Sequence, residues 1–372
     1  APPAGHRSRR SCSNGGQRPR TEVAVSDVGE RSSGAGEVHW GSMAAALSKE
    51  VGGPESLVIE EVPDLQAGPG NVVVDIKACG VNFPDALMLR DMYQFKPPRP
   101  FAPGGEIAGI VDHVGEGVDA WKPGDRVVAV CGNGGMAEQI EIPAPGLLPV
   151  PEDVPLDEAG AFLLTYGTSL YALKDRAKVQ SGESLLVLGA AGGVGLSAVQ
   201  LGAAMGMEVI AACSSQDTVD LCLEHGASKG IVYPRGPLDR DQQKQLSNDI
   251  KEAGGGGVDV VYDAVGGDYA EPAVRAMNWE GRFLVIGFPA GIPRLPLNLT
   301  LLKNCQIVGV FWGAFTARQP DDNAANVSQL FQMYADGQIK PYVSSRYPLD
   351  QAGDAIAELE ERRAKGKVVV TV

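Results

Sequence analysis

Between Ser184 and Leu201 the chain runs from five mostly apolar residues through Gly189-Ala-Ala-Gly-Gly-Val-Gly195 into an apolar pattern at helical spacing (Val194, Ala198, Leu201). A buried strand followed by a turn of small residues and a helix start is built to hold a pyrophosphate. Small residues let the backbone approach, and the helix N–H groups and dipole carry the charge. The candidate contacts are Ala190, Ala191, Gly192, Gly193 and Val194. Ala190 stands where a first Gly of a strict G-x-G-x-x-G would, so the turn alone also reads as a structural one. Its context decides. Strands are expected at Glu208–Cys213, 231–233 and 258–262, with helical segments such as 217–225 between them. Alternating strand and helix gives an α/β, doubly wound parallel sheet of the Rossmann type.

The second strand bears on cofactor choice. In NAD-binding units an acid at its end binds the ribose 2′-OH. Here Cys213 ends it, followed by Ser214, Ser215, Gln216 and Asp217. With no acid at the end itself a 2′-phosphate is not repelled, which favours NADPH. Asp217 adds unfavourable charge against that reading.

The elements around this unit follow from composition. The chain has 372 residues, enough for two domains, and a formal net charge of −14, which argues against nucleic-acid or anionic-membrane binding. No run of about 18 apolar residues is present, so no membrane span is expected. The six cysteines are scattered without a C-x-x-C, as free thiols would be. Residues 1–42 are Arg- and Ser-rich, with no acid before Glu22. They read as a mitochondrial transit segment or as an unstructured leader ahead of Met43, so the expected location is mitochondrial or cytoplasmic. From Met43 short strands alternate with Pro/Gly turns, at 57–61, 71–78 and 107–114. The expected domains are 43–165 plus 316–372, β-rich, and 166–315, nucleotide-binding. A terminal helix at 350–363 precedes a strand at 367–372 that should return to the first domain's sheet.

Six segments, in order and spacing, carry a resemblance. They are Ala78-Cys-Gly-Val-Asn-Phe-Pro-Asp85, Pro103-Gly-Gly-Glu106, Val114-Gly-Glu-Gly117, Lys122-Pro-Gly-Asp-Arg126, Ala190-Ala-Gly-Gly-Val-Gly195 and Gly366-Lys-Val-Val-Val370. The chain from about Ala46 onward resembles the zinc-free quinone oxidoreductases of the medium-chain dehydrogenase/reductase superfamily. The resemblance implies a GroES-like catalytic domain beside the Rossmann domain. Where zinc-dependent relatives carry Cys and His ligands, this sequence has Asn82 and Gly105, so no metal is expected.

The resemblance also implies the site. Asn82 would bind the nicotinamide ribose or a substrate oxygen, or else cap a turn. Tyr93 would donate from its hydroxyl at the cofactor cleft, or else pack in its loop. Thr165 would touch the nicotinamide, or else cap a helix. Ser214, Tyr233, Phe288 and Phe311 join the cofactor-binding set. Related reductases often carry a Lys at the position of Thr218, which this chain lacks. The implied activity is NADPH-dependent hydride transfer to a quinone or conjugated carbonyl. An enoyl-CoA or acryloyl-CoA-type reductase and a non-catalytic dinucleotide-binding protein stay open beside it. A homodimer is implied by the apolar stretch 306–312, which would leave an exposed sheet edge and in relatives pairs across a two-fold axis.

Overall fold

The computed structural model describes residues 41–372. All but two residues of the Arg-rich segment expected at 1–42 lie outside these residues. The described part opens with an antiparallel pair, β1 (Ser42–Leu47) and β2 (Val58–Pro63). Five strands follow, β3 (Asn71–Val81), β4 (Glu106–Val114), β5 (Arg126–Val130), β6 (Gln139–Pro143) and β7 (Leu147–Pro149). Helix α1 (Phe83–Leu89) lies between β3 and β4, and α2 (Leu156–Ala159) and α3 (Leu163–Leu170) lead into the second half.

That half alternates β8 (Ser184–Leu188), α4 (Gly193–Ala204), β9 (Glu208–Cys213), α5 (Gln216–Glu224), β10 (Lys229–Val232), β11 (Val258–Asp263), β12 (Met277–Val285) and β13 (Gln306–Gly309), with further helices between the later strands. The six strands form one parallel sheet in the order β10-β9-β8-β11-β12-β13. Burial on both faces explains the near-continuous apolar character of β8. Leu185 and Val187 join the core containing α4, while Leu186 and Leu188 join the core on the opposite face with Ile210 and Val261.

The chain then returns. β14 (Val343–Pro348) and β15 (Lys367–Thr371) complete a seven-stranded sheet, with β15 antiparallel to β3 (Val368 opposite Val81). This is the return expected of the terminal strand. It matters for function because it carries Gly366 and Lys367 into the space between the two sheets.

Three features depart from the sequence reading. The strand expected through 312 stops at Gly309, and the chain enters a helix at Trp312. Trp312 is buried, its ring so close to Gly167 of α3 that a Cβ there would lie 2.6 Å from it. Packing of that indole, rather than edge pairing, sets the chain's course. Strand β12 was not expected, since Asn278, Glu280 and Arg282 break its apolar run; a register irregularity against β11 accommodates them. Finally, Val327, Leu330 and Met333 of the helix Pro320–Ala335 share a core with α4 and β9. The same core takes in Ala108 of β4 and Val128 of β5, so this helix, which the boundary expected near 315 places with the catalytic domain alone, packs with elements of both halves.

Candidate active site

The turn between β8 and α4 is shaped by backbone alone. Gly189 has φ +69°, a left-handed conformation that favours glycine. Gly195 lies so close to it that a Cβ would stand 2.2 Å from Gly189 O. Gly189 and Ala190 donate their N–H groups to Ala212 O at 3.1 and 3.2 Å, pinning the turn to the end of β9. Gly192 is the N-cap of α4, and no side chain caps the helix. The first-turn amides are therefore left for an anion, as a dinucleotide pyrophosphate requires.

The C-terminal segment closes over this turn. Gly366 donates its N–H to Ala191 O at 2.7 Å and forms a parallel bridge with Gly192. A Cβ on Gly193 would meet Lys367 Cδ at 3.0 Å, Gly366 O at 3.2 Å and Thr165 Cγ2 at 3.5 Å. Glycine is needed there for close approach. The same measurement brings Thr165 and Lys367 to the mouth of the phosphate turn.

Behind Lys367 lies a buried polar cluster. Lys367 Nζ donates to Glu106 Oε1 at 2.6 Å, Asn82 Oδ1 at 2.7 Å and Val81 O at 3.3 Å. An ammonium has three hydrogens, and these acceptors account for all of them. Asn82 Nδ2 donates to Glu106 Oε1 at 2.9 Å and Gly80 O at 3.1 Å, and Glu106 Oε2 accepts from Leu164 N–H at 3.0 Å. Glu106 is fully buried, and Lys367 is nearly so. A buried charge pair holds only with this degree of hydrogen bonding. The cluster fixes Asn82 from three directions, so Lys367 and Glu106 act by positioning it.

Asp85 supports the same region from α1, accepting N–H groups from Asn82 (2.8 Å) and Gly104 (3.0 Å). Burial pushes its carboxyl up to about 6, against the opposing pull of those two bonds. Cys79 and Cys131 are free thiols nearby. Burial raises both, the latter to about 12, so they stay protonated. Among the described residues no group of three or more His, Cys, Asp or Glu is arranged to hold a metal ion.

The other candidates fall on both sides of the cleft. Thr165 is the third residue of α3; its hydroxyl faces Phe162 O at 3.5 Å and its carbonyl accepts from Ser197 of α4 at 3.1 Å. Tyr93 is half-buried in the loop after α1, packed against the catalytic-domain core. Burial, and then the nearby Asp85 charge, raise its hydroxyl, which keeps the proton it would donate. Tyr233 is buried, packs against Tyr269 with ring centroids 4.8 Å apart and the rings tilted by 53°, and donates its backbone N–H to Cys213 O at 2.9 Å. Phe288 and Phe311 lie beyond the ends of β12 and β13, 43% and 57% exposed.

At the end of β9, Cys213 Sγ stands 3.8 Å from Cys222 Sγ on α5. Hydrogen bonds from Cys222 first, then Thr218 and the N–H groups of Ala191 and Ala190, hold the Cys213 thiol below its usual range. Cys213 thus touches the phosphate turn itself. Ser214 is half-buried beside it, and Ser215 Oγ lies 2.9 Å from Thr218 Oγ1.

In the sequence Lys367 and Glu106 stand within the segments that carry the resemblance, and nothing local assigns them a role. The available signal was a lone lysine opening a valine strand directly after a glycine, Gly366-Lys-Val-Val-Val370. A charge in so apolar a strand needs a buried partner.

This scaffold, a catalytic sheet closed by its own C-terminus over a dinucleotide turn, defines a class of pyridine-nucleotide oxidoreductases. The family model "Alcohol dehydrogenase GroES-like domain" matches residues 68–152, and "Zinc-binding dehydrogenase" matches residues 193–331. Quinone oxidoreductase-like protein 2 of Mus musculus is 38% identical over 330 residues, covering 88% of this chain and 92% of the relative. Quinone oxidoreductase of Rattus norvegicus is 31% identical, covering 88% and 97%. Among solved structures, a mycobacterial protein complexed with NADPH superposes with a TM-score of 0.81 at 31% identity, over 89% of this chain and all of the other. A probable oxidoreductase of Mycobacterium abscessus reaches 0.78 at 37% identity, over 89% and 99%. The chain belongs to the quinone oxidoreductase family of the medium-chain dehydrogenase/reductase superfamily and is an oxidoreductase.

Proposed function

We propose that the protein transfers hydride from NADPH to a quinone or conjugated carbonyl without zinc. One observation carries the reading. The uncapped start of α4 meets the buried Asn82–Lys367–Glu106 cluster across the Gly192–Gly366 bridge, so a dinucleotide held by the turn lies against a rigid polar wall. When bound, the nicotinamide supplies the hydride. The protein's part is to orient it and stabilise charge. Both amide hydrogens of Asn82 are taken by Glu106 and Gly80, so Asn82, fixed by Lys367, acts through the free lone pair of Oδ1 and accepts from a hydroxyl of the nicotinamide ribose. Thr165 walls the nicotinamide side of the turn. Oxygen charge develops as a quinone or enone accepts hydride, and hydrogen-bond donors stabilise it. The protonated Tyr93 hydroxyl is the donor assigned to that oxygen.

Asn82 replaces a soft ligand with an amide already committed to protein partners, and Gly105 has no side chain, which supports the metal-free reading. Cys213 and Ser214 at the end of β9 support NADPH, since neither is an acid. Tyr233, Phe288 and Phe311 complete the proposed cofactor wall. A homodimer is part of the same reading. The edge strand β13 and its surroundings expose Ile307, Phe311, Leu301 and Leu297, an apolar strip that a second copy would cover.

The test is NADPH oxidation by the purified protein with a panel of quinones and enoyl thioesters. Turnover of quinones or simple enones supports the proposal. Turnover of enoyl thioesters alone moves the substrate class, and cofactor binding with no turnover of either would overturn the enzyme reading. Elemental analysis finding about one zinc per chain after dialysis overturns the metal-free part. Light scattering that shows only monomer at micromolar concentration removes the dimer.

A further inference from the structure

The end of β9 brings no cation of its own to a 2′-phosphate. No Lys or Arg occurs from Ser214 to Ser228, and the nearest carboxylate there is Asp217. The C-terminal segment supplies what the local chain lacks. Lys365 Nζ reaches Asp217 Oδ2 at 2.6 Å, across 148 positions of sequence.

Two anchors put this ammonium in the adenosine groove. On one side, the neighbouring Gly366 is bonded to Ala191 and bridged to Gly192 of the phosphate turn. On the other, Asp217 sits in the first turn of α5, two residues past its N-cap Ser215. Lys365 therefore spans the turn after β8 and the turn after β9, between which a Rossmann unit holds the adenosine ribose. The Lys365 and Asp217 side chains are 44% and 61% exposed, so a ligand reaches both. A pair this exposed adds little to stability, so the fold loses little when it opens.

We propose that Lys365 selects the 2′-phosphorylated cofactor and that Asp217 is its competitor. The ammonium leaves the carboxylate for the 2′-phosphate when NADPH binds and keeps its carboxylate partner when NADH binds. In the free protein the charge of this acid is paired, and when the ammonium leaves it the exposed carboxylate is left to water. This rests on the NADPH reading above, and deepens it by naming the residue that makes the choice.

The experiment is a fluorescence titration of wild type, Lys365→Met and Asp217→Asn with NADPH and NADH, at low and moderate salt. Lys365→Met should weaken NADPH roughly tenfold, the low end for a hydrogen bond to a charged group at an exposed site, and leave NADH within about twofold. Asp217→Asn should strengthen NADPH severalfold, with little change for NADH. The salt dependence of NADPH binding should be shallower in Lys365→Met than in wild type. Equal loss of both cofactors in Lys365→Met would mean a structural role and overturn the proposal. If wild type prefers NADPH and Lys365→Met keeps the same ratio, the proposal fails while the NADPH reading stands. If wild type prefers NADH, both fail.

Discussion

The phosphate turn and the polar cluster that meets it are built on opposite principles. The turn is seven residues of contiguous chain, uncharged, and held by backbone bonds to Ala212 and by glycines where a Cβ has no room. The cluster gathers Asn82, Glu106 and Lys367 from stretches as far as 285 positions apart, and its strength lies in charge and hydrogen bonds. One region works by leaving donors unused and the other by leaving none unused. An anion site needs unpaired N–H groups at a helix start. A positioning device needs each polar atom committed, since a partly satisfied buried network is costly. The contrast predicts that the two regions fail differently.

The largest effect is expected in the cluster. Lys367→Met leaves Glu106 charged and buried without its partner, at a cost of about 3–5 kcal/mol. Adding Glu106→Gln in the same chain should recover much of that loss. Denaturant unfolding of the two single variants and the double variant measures it. Equal destabilisation by the single and double changes would mean that the pair is not coupled and would erase the contrast.

Asp85 gives the same region a pH signature. Its carboxyl is held up to about 6 by burial, above its ordinary 3.8. Between those values the folded protein keeps a proton that the unfolded chain has lost, so the stability from this group falls as pH rises from about 4 to 6. A shift of this size corresponds to roughly 3 kcal/mol. Asp85→Asn removes the titration, so the variant should gain stability relative to wild type across that window. A difference that stays flat with pH would refute the assignment.

The turn should instead lose binding and keep its fold. Gly192 is the N-cap of α4, and a Cβ there meets only Gly189 O, at 3.5 Å. Asp is a preferred N-cap and Gly a tolerated one, so Gly192→Asp should fold as well as wild type or better by a few tenths of a kcal/mol. Its carboxylate would occupy the amides meant for the pyrophosphate and repel it. Cofactor affinity should fall roughly a hundredfold, about 2.7 kcal/mol. Unchanged affinity in a titration would show that the dinucleotide is not held here.

The same contrast explains what the sequence made legible. The turn was visible because its signal is local, with Gly and Ala between an apolar strand and a helical pattern. β12 was hidden because Asn278, Glu280 and Arg282 interrupt its apolar run. Trp312 was assigned to a strand because its partner, Gly167, lies in a distant helix. Glu106 and Lys367 were visible as residues, but their pairing depends on β15 returning to β3. Charge pairs between remote strands leave no periodic trace in a single chain. The Lys365–Asp217 pair was illegible for the same reason.

The smallest effect sharpens the boundary between the two regions. Cys213 belongs to the turn by position, since the backbone of Ala190 and Ala191 lies beside its thiol, yet it is a side-chain device like those of the cluster. Cys213→Asp would place a carboxylate where the end of β9 faces the adenosine ribose. It would bond the ribose hydroxyls of NADH. Against a 2′-phosphate at about 4 Å it would repel by ~4 kcal/mol at an effective dielectric near 20. Solvent and relaxation reduce this, and a third of it is still about a tenfold change in relative affinity. Cys222, whose Sγ now lies 3.8 Å from that of Cys213, would donate to the carboxylate, so the strand–helix contact survives. The ratio of NADPH to NADH affinity in wild type and variant is the measurement. A ratio that does not move would mean that Cys213 faces α5 alone, and that cofactor choice lies wholly with side chains brought in from the C-terminal segment.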